Sequence, residues 1–116
     1  AVTLTQGGNR DSARRLWSEV AQHAEADWLV EQARFRLTQL DALDQIEVLE
    51  RIVKRYEVLR GTLPYSWDDL VRAGLLRGIP VDPRQFPYQL NPYWGTVRLS
   101  EASTLNPLPS SEGGQR

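Results

Sequence analysis

The chain has 116 residues, 41% of them hydrophobic and 25% charged, with a formal net charge of -1. That size fits one domain or two small units sharing a core, and a near-neutral balance offers no electrostatic reason to bind nucleic acid or an anionic membrane. Cysteine is absent, which excludes disulfides, thiolate metal sites and a cysteine nucleophile. No run approaches the roughly 18 apolar residues of a transmembrane helix, so no direct membrane span is expected in this chain. Lys54 is the only lysine among 14 basic residues, an arginine bias best read as a GC-rich genome.

Residues 1–8 carry few structural signals and end in Gly7-Gly8. Asn9 reads as an N-cap, because its side chain can accept from the free amides of a first helical turn. Ala13, Leu16, Trp17, Val20 and Ala24 then fall at three-four spacing and predict a helix over about 10–23. Asp27 reads as the cap of a second helix, 28–40, carrying Leu29, Ala33, Leu37 and Leu40 on one face. A third, over about 42–60, has Ile46, Leu49, Val53 and Tyr56 in a stripe widened by Ile52 and Leu59. Asp41 and Asp44 are read as capping or flanking it. Glu47–Arg51 and Glu50–Lys54 stand at i,i+4 on its polar side, each pair worth about 0.3 kcal/mol. Gly61 ends it.

Beyond Gly61 the pattern changes. Pro64 breaks the helix, and Ser66-Trp67-Asp68-Asp69 is a helix start in which Ser66 caps and Asp69 reaches back. Tyr65 and Leu70 occupy staple positions, and the short helix 67–73 should stop at Gly74. Ile79-Pro80-Val81-Asp82-Pro83 reads as extended. Two short strands, 87–90 and 96–100, are joined by the Asn91–Gly95 loop, with Val97 and Leu99 sharing a face. From Glu101 the chain is expected to be irregular, tacked down at Leu105 and Leu108.

The expected fold is mainly α, with helical hairpins followed by a small α+β module holding a two-stranded antiparallel hairpin. Its divisions are 1–41, 42–100 and an irregular tail 101–116. Gly8-Asn9 followed by Ala13, Trp17 and Val20 resembles the second helix of a tetratricopeptide repeat, with the helix holding Ala33 opening the next repeat. That register implies a chain that begins partway through something longer. The run from Ile46, Leu49, Val53 and Tyr56 to Gly61-Thr62-Leu63-Pro64 resembles the helix exit of type II secretion pseudopilins. Leu70-Val71, Gly74-Leu75-Leu76, Ile79-Pro80, Asp82-Pro83 and Pro87-Tyr88 follow in that family's order. The resemblance implies that Tyr88 seals the hairpin against the helix.

Three family features are missing, the strongly apolar N-terminal helix among them. Arg84-Gln85-Phe86 stands where a tryptophan-glycine is common, and residues 101–116 lack an acidic, glycine-rich calcium loop, so no calcium site is carried over. Together the resemblances imply a bacterial protein, with the envelope or periplasm slightly favoured over the cytoplasm.

Reactive groups are sparse. His23 is the only histidine and reads as a surface or helix-end residue, Asp68 and Asp69 are explained by the helix start, and Gly7-Gly8 lacks the lysine of a phosphate loop. No catalytic residue, metal ligand or cofactor is assigned. Trp17 reads as core, and Trp28 and Trp67 as partly buried. Trp94, beside Tyr93 in the hairpin loop, either folds back over the hairpin or serves as an exposed anchor. The expected function is a non-catalytic protein-interaction or scaffold subunit, in a homo- or hetero-oligomer, with other protein subunits as partners. The competing reading is a structural, pseudopilin-like component of an envelope machine. The residues singled out for partner contact are Tyr93, Trp94, Trp28 and Phe35.

Overall fold

The computed structural model describes residues 9–109. The expectations placed on residues 1–8, on the Asn9 side chain and on the polar C-terminus from Ser110 lie outside the described residues. Helix α1 spans Asn9–His23, α2 Asp27–Arg60 and α3 Trp67–Arg72; strands β1 (Gln89–Leu90) and β2 (Val97–Arg98) follow. The chain is thus mainly helical with a small two-stranded antiparallel sheet, in which Gln89 pairs with Arg98 and Leu90 with Val97. Its described residues divide into two compact units, one of 9–41 with 107–109, the other of 42–106.

The expected second and third helices are one. Nothing between Asp27 and Arg60 interrupts an α-helix, for this stretch holds neither glycine nor proline. An aspartate only caps when the backbone before it leaves the helix, and at Asp41 and Asp44 it does not. Asp27 likewise lies inside the first turn, since the Leu29 and Val30 amides donate to the Ala26 carbonyl. There its charge suits the positive helix end.

In the first unit the Arg14 guanidinium of α1 meets the Asp41 carboxylate at 2.8 Å, an exposed pair worth about 0–1 kcal/mol. Ala33, Leu40 and Gln39 are buried. Gln39 donates through Nε2 to the Pro107 carbonyl at 2.9 Å and accepts from Arg36 through Oε1. Trp17 is only half-buried, and Leu16, expected on the inner face, is exposed. Periodicity identifies a face but not how much of it is covered.

The second unit packs Leu49, Val53, Trp67, Leu70, Tyr88, Val97, Leu99 and Leu105 into its core. At about 1.5–3 kcal/mol per large apolar side chain, this burial is the main force holding it together. Leu59, expected in the same stripe, is exposed near the end of α2. The two ion pairs expected on α2 are only partly relevant, because Glu50 accepts from the Val97 amide at 2.8 Å and Lys54 pairs with Glu57.

α3 begins as its sequence suggests, by a different bond. Ser66 makes no side-chain cap bond; Asp69 instead accepts from the Tyr65 amide at 2.8 Å and from Arg72. That Tyr65 hydrogen bond, then Arg72 and the Ser66 amide, hold the Asp69 carboxyl below its ordinary value of 3.8, against a smaller opposing effect of desolvation. Tyr65 is exposed, so the staple with buried Leu70 does not form. The helix closes with Gly74 at φ +79°, the Gly74 amide on Val71 and the Leu75 amide on Leu70. These are the two bonds of a Schellman ending.

Asp82 organises the next turn. It is 1% exposed, and its Oδ1 accepts from the Arg84 and Phe86 amides at 2.7 and 3.1 Å. Its Oδ2 accepts from the Ser103 hydroxyl at 2.6 Å, which fastens the irregular segment after β2. Gln85 takes φ +76° within this turn, a conformation costly for a residue with a Cβ and sustained by the bonds on either side. Of the two leucines expected to tack down the tail, Leu105 is fully buried and Leu108 partly so.

Candidate functional site

The hairpin is fixed to α2 at several points. The Tyr88 hydroxyl donates to Gln45 Oε1 at 2.5 Å, the Trp67 indole donates to the Tyr88 carbonyl at 2.8 Å, and Glu50 receives the Val97 amide. Tyr88 is buried and does seal the hairpin against the helix. Gly95 sits at φ +74°, where a Cβ would stand 2.8 Å from Leu63 Cδ2 and 3.3 Å from Val53 Cγ1. A side chain here would be strained at this φ and would press the Leu63 and Val53 side chains aside. The strands themselves are shorter than the predicted 87–90 and 96–100. Pro87 makes an isolated bridge with Val81, and Tyr88 donates to Pro80 instead of to β2.

On this base the loop tip projects outward. Asn91 Oδ1 accepts from the Tyr93 and Trp94 amides at 2.9 and 3.1 Å, and the Asn91 carbonyl accepts from Gly95. This Asx turn sets the backbone without using either aromatic ring. Tyr93 is 84% exposed and Trp94 78%, so Trp94 does not fold back over the hairpin. Both belong to the second unit. Trp28 and Phe35 belong to the first, two turns apart along α2. Trp28 is 70% exposed rather than partly buried, in the first turn of its helix, and Phe35 is half-buried.

Tyr93 lines one side of a concavity of about 670 Å³, whose walls include Tyr65, Leu90, Pro92 and Arg98. Tyr65 is 79% exposed. Neither Tyr65, which the sequence places at a staple position, nor Arg98 is among the residues expected to meet a partner, although the alternation of 96–100 sets Arg98 on the face opposite Val97 and Leu99. A second groove, of about 360 Å³ and almost wholly apolar, runs between Val48 and Ile52 of α2 and the Leu76–Val81 stretch.

His23 is exposed and lies 3.7 Å from Glu19 on the same helix. Among the described residues no three acidic, histidine or cysteine side chains gather as a metal site, and no helix is long and apolar enough to cross a membrane. The concavity beside Tyr93 presents aromatic faces, one arginine and a few amide and hydroxyl groups. Searches among protein families, characterised proteins and solved structures found no match to the chain.

Proposed function

We propose that the chain is a non-catalytic protein-interaction or scaffold subunit of a larger bacterial assembly, engaging its partner through the Tyr93–Trp94 loop. One observation carries this reading: two large aromatic side chains stand in solvent on a backbone fixed by Asn91 and Gly95. Both rings stay largely uncovered by the fold, so their apolar faces remain available for burial against a partner. Aromatic side chains on a preorganised turn lose little conformational entropy on binding, which makes them effective anchors. Trp28 supplies a further exposed anchor in the first unit, with Phe35 two turns along.

The test is a double variant, Tyr93→Ala with Trp94→Ala, compared with the parent for melting temperature and for capture of partner from the native organism. The expected result is a melting temperature within a few degrees and a loss of capture of at least about tenfold, as for an interface hot spot. A large fall in melting temperature, or undiminished capture, would overturn it.

A second reading, a structural pseudopilin-like component of a secretion or pilus-type machine, is supported by the use of the shared positions. Asp82-Pro83 forms a tight turn, and Tyr88 ties the hairpin to α2. Purified chain that builds ordered filaments by itself would favour that reading over the scaffold.

A further inference from the structure

The concavity beside Tyr93 presents an unusual set of free groups. Just past the ends of β1 and β2, the Asn91 amide donates to the Thr96 carbonyl. In an antiparallel ladder the bonded and non-bonded pairs alternate, so Leu90 and Val97 form a non-bonded pair whose N–H and C=O groups point away from each other. The Val97 amide obeys this by reaching Glu50. The Leu90 amide points away from β2, on a strand that lines the concavity, and makes no hydrogen bond among the described residues. Its neighbour Tyr88 has no such freedom, since its amide is held by Pro80 and its carbonyl by Trp67.

This edge is therefore one residue long, too short to add a strand from a partner. What surrounds it is rich in donors. The Tyr65 and Tyr93 side chains are exposed, and the Asn91 side-chain oxygen is already occupied by the loop amides. Arg98 is the one charged residue in the lining. Its Nε is tied at 3.0 Å to Gln89, its cross-strand partner, while its terminal nitrogens make no hydrogen bond or ion pair among the described residues. A guanidinium held from behind in this way offers a fork for a carboxylate.

We propose that this concavity binds a proline-rich segment in the polyproline II conformation that carries an acidic residue next to its prolines. The proposal rests on the interaction reading above and names the chemistry of the partner. Proline rings pack flat on tyrosine faces, and a polyproline II backbone has carbonyls free to accept but few amides to donate. Such a segment matches the Leu90 amide and the tyrosine hydroxyls. It brings its shape preformed, so little order is lost on docking. The carboxylate answers the only charge in the lining. The outward Leu90 carbonyl accepts from a non-proline position in the segment or from water.

The experiment titrates the full chain with three synthetic ten-residue peptides: an oligoproline bearing one glutamate, the same oligoproline without it, and a glycine-serine peptide bearing one glutamate. Amide NMR follows Leu90 and Tyr93. The glutamate-bearing oligoproline should bind best, shifting both amides. Loss of its glutamate should weaken binding by about fivefold, and Arg98→Gln should erase that difference. Tyr65→Ala and Tyr93→Ala should each weaken binding by at least about tenfold, whereas Val58→Ala, exposed on α2 and outside the lining, should change it by less than about twofold.

Equal binding of the glycine-serine peptide, or no shift of Leu90 at millimolar oligoproline, would overturn the proposal. If the Tyr93 and Trp94 double variant loses its native partner while no oligoproline moves Leu90, the interaction reading stands and the proline class falls. If oligoproline binds as described while the double variant keeps its partner, the concavity is assigned and the loop is not the partner's main anchor.

Discussion

The two units of this chain each bury a hydrogen-bonded polar side chain, and they do so to different ends. In the first, Gln39 reaches from α2 to the Pro107 carbonyl, a neutral bond across 68 residues of sequence, with Arg36 on its other end. In the second, Asp82 gathers two backbone amides and the Ser103 hydroxyl, shaping its own turn and fastening a distant segment. A helix satisfies its own backbone, so a helical unit needs only an occasional side-chain tie. The second unit has two-residue strands and long irregular stretches, and its turn amides need partners that secondary structure does not provide. Side chains there complete the architecture that a sheet would otherwise supply.

The strongest way to break this contrast is to remove both ties in turn. Asp82→Ala should lower stability by about 2–4 kcal/mol, since two amides and a hydroxyl are left unsatisfied in a buried place. Gln39→Ala should cost about 1–2 kcal/mol. Urea denaturation followed by circular dichroism measures both, and equal effects would mean that the two units are not built differently.

Next in size is the hairpin's close approach. Gly95→Ala introduces a Cβ at a positive φ and against Leu63, and should cost about 1–3 kcal/mol by the same measurement. Trp94→Ala, one residue earlier on an exposed side chain, should stay within about 0.5 kcal/mol. The pair sharpens the distinction between a loop's foot, which belongs to the fold, and its tip.

The smallest effect is a change of slope. Asp69's folded-state pKa is lowered, first by the Tyr65 amide and then by Arg72, so its contribution to stability is full above the unfolded value of about 3.9. It is lost as pH falls through the lower folded value. Asp69→Asn should therefore flatten the stability profile below about pH 4, and an unchanged acid limb would show that the carboxylate is not coupled to folding.

Much of this architecture was readable before any coordinates. The spacing of Ala13, Trp17 and Val20, the Gly74 stop, the break at Pro64 and the hairpin around Asn91–Gly95 all follow from local rules, because each depends on residues close in sequence. What escaped was of two kinds. Aspartates at 41 and 44 invited caps, although no glycine or proline was present to end a helix there. Exposure also escaped, since the pattern that assigns Leu16, Leu59 and Tyr65 to a face or staple is silent on whether anything covers them. At the candidate site Tyr93 and Trp94 were visible as loop aromatics. The pairing of Gln89 with Arg98 and the orientation of Leu90 required a register, which only the folded hairpin defines.

The bond from Val97 to Glu50 has a consequence for how copies of this protein behave at high concentration. A lone ribbon of two strands has two open flanks, each a template on which an unrelated chain can polymerise. Here the helix lends a carboxylate to block one flank, and Trp67 with Pro80 blocks part of the other. Runaway stacking is thereby discouraged without a third strand, a bulge or a charged rim, and the ribbon can remain very short.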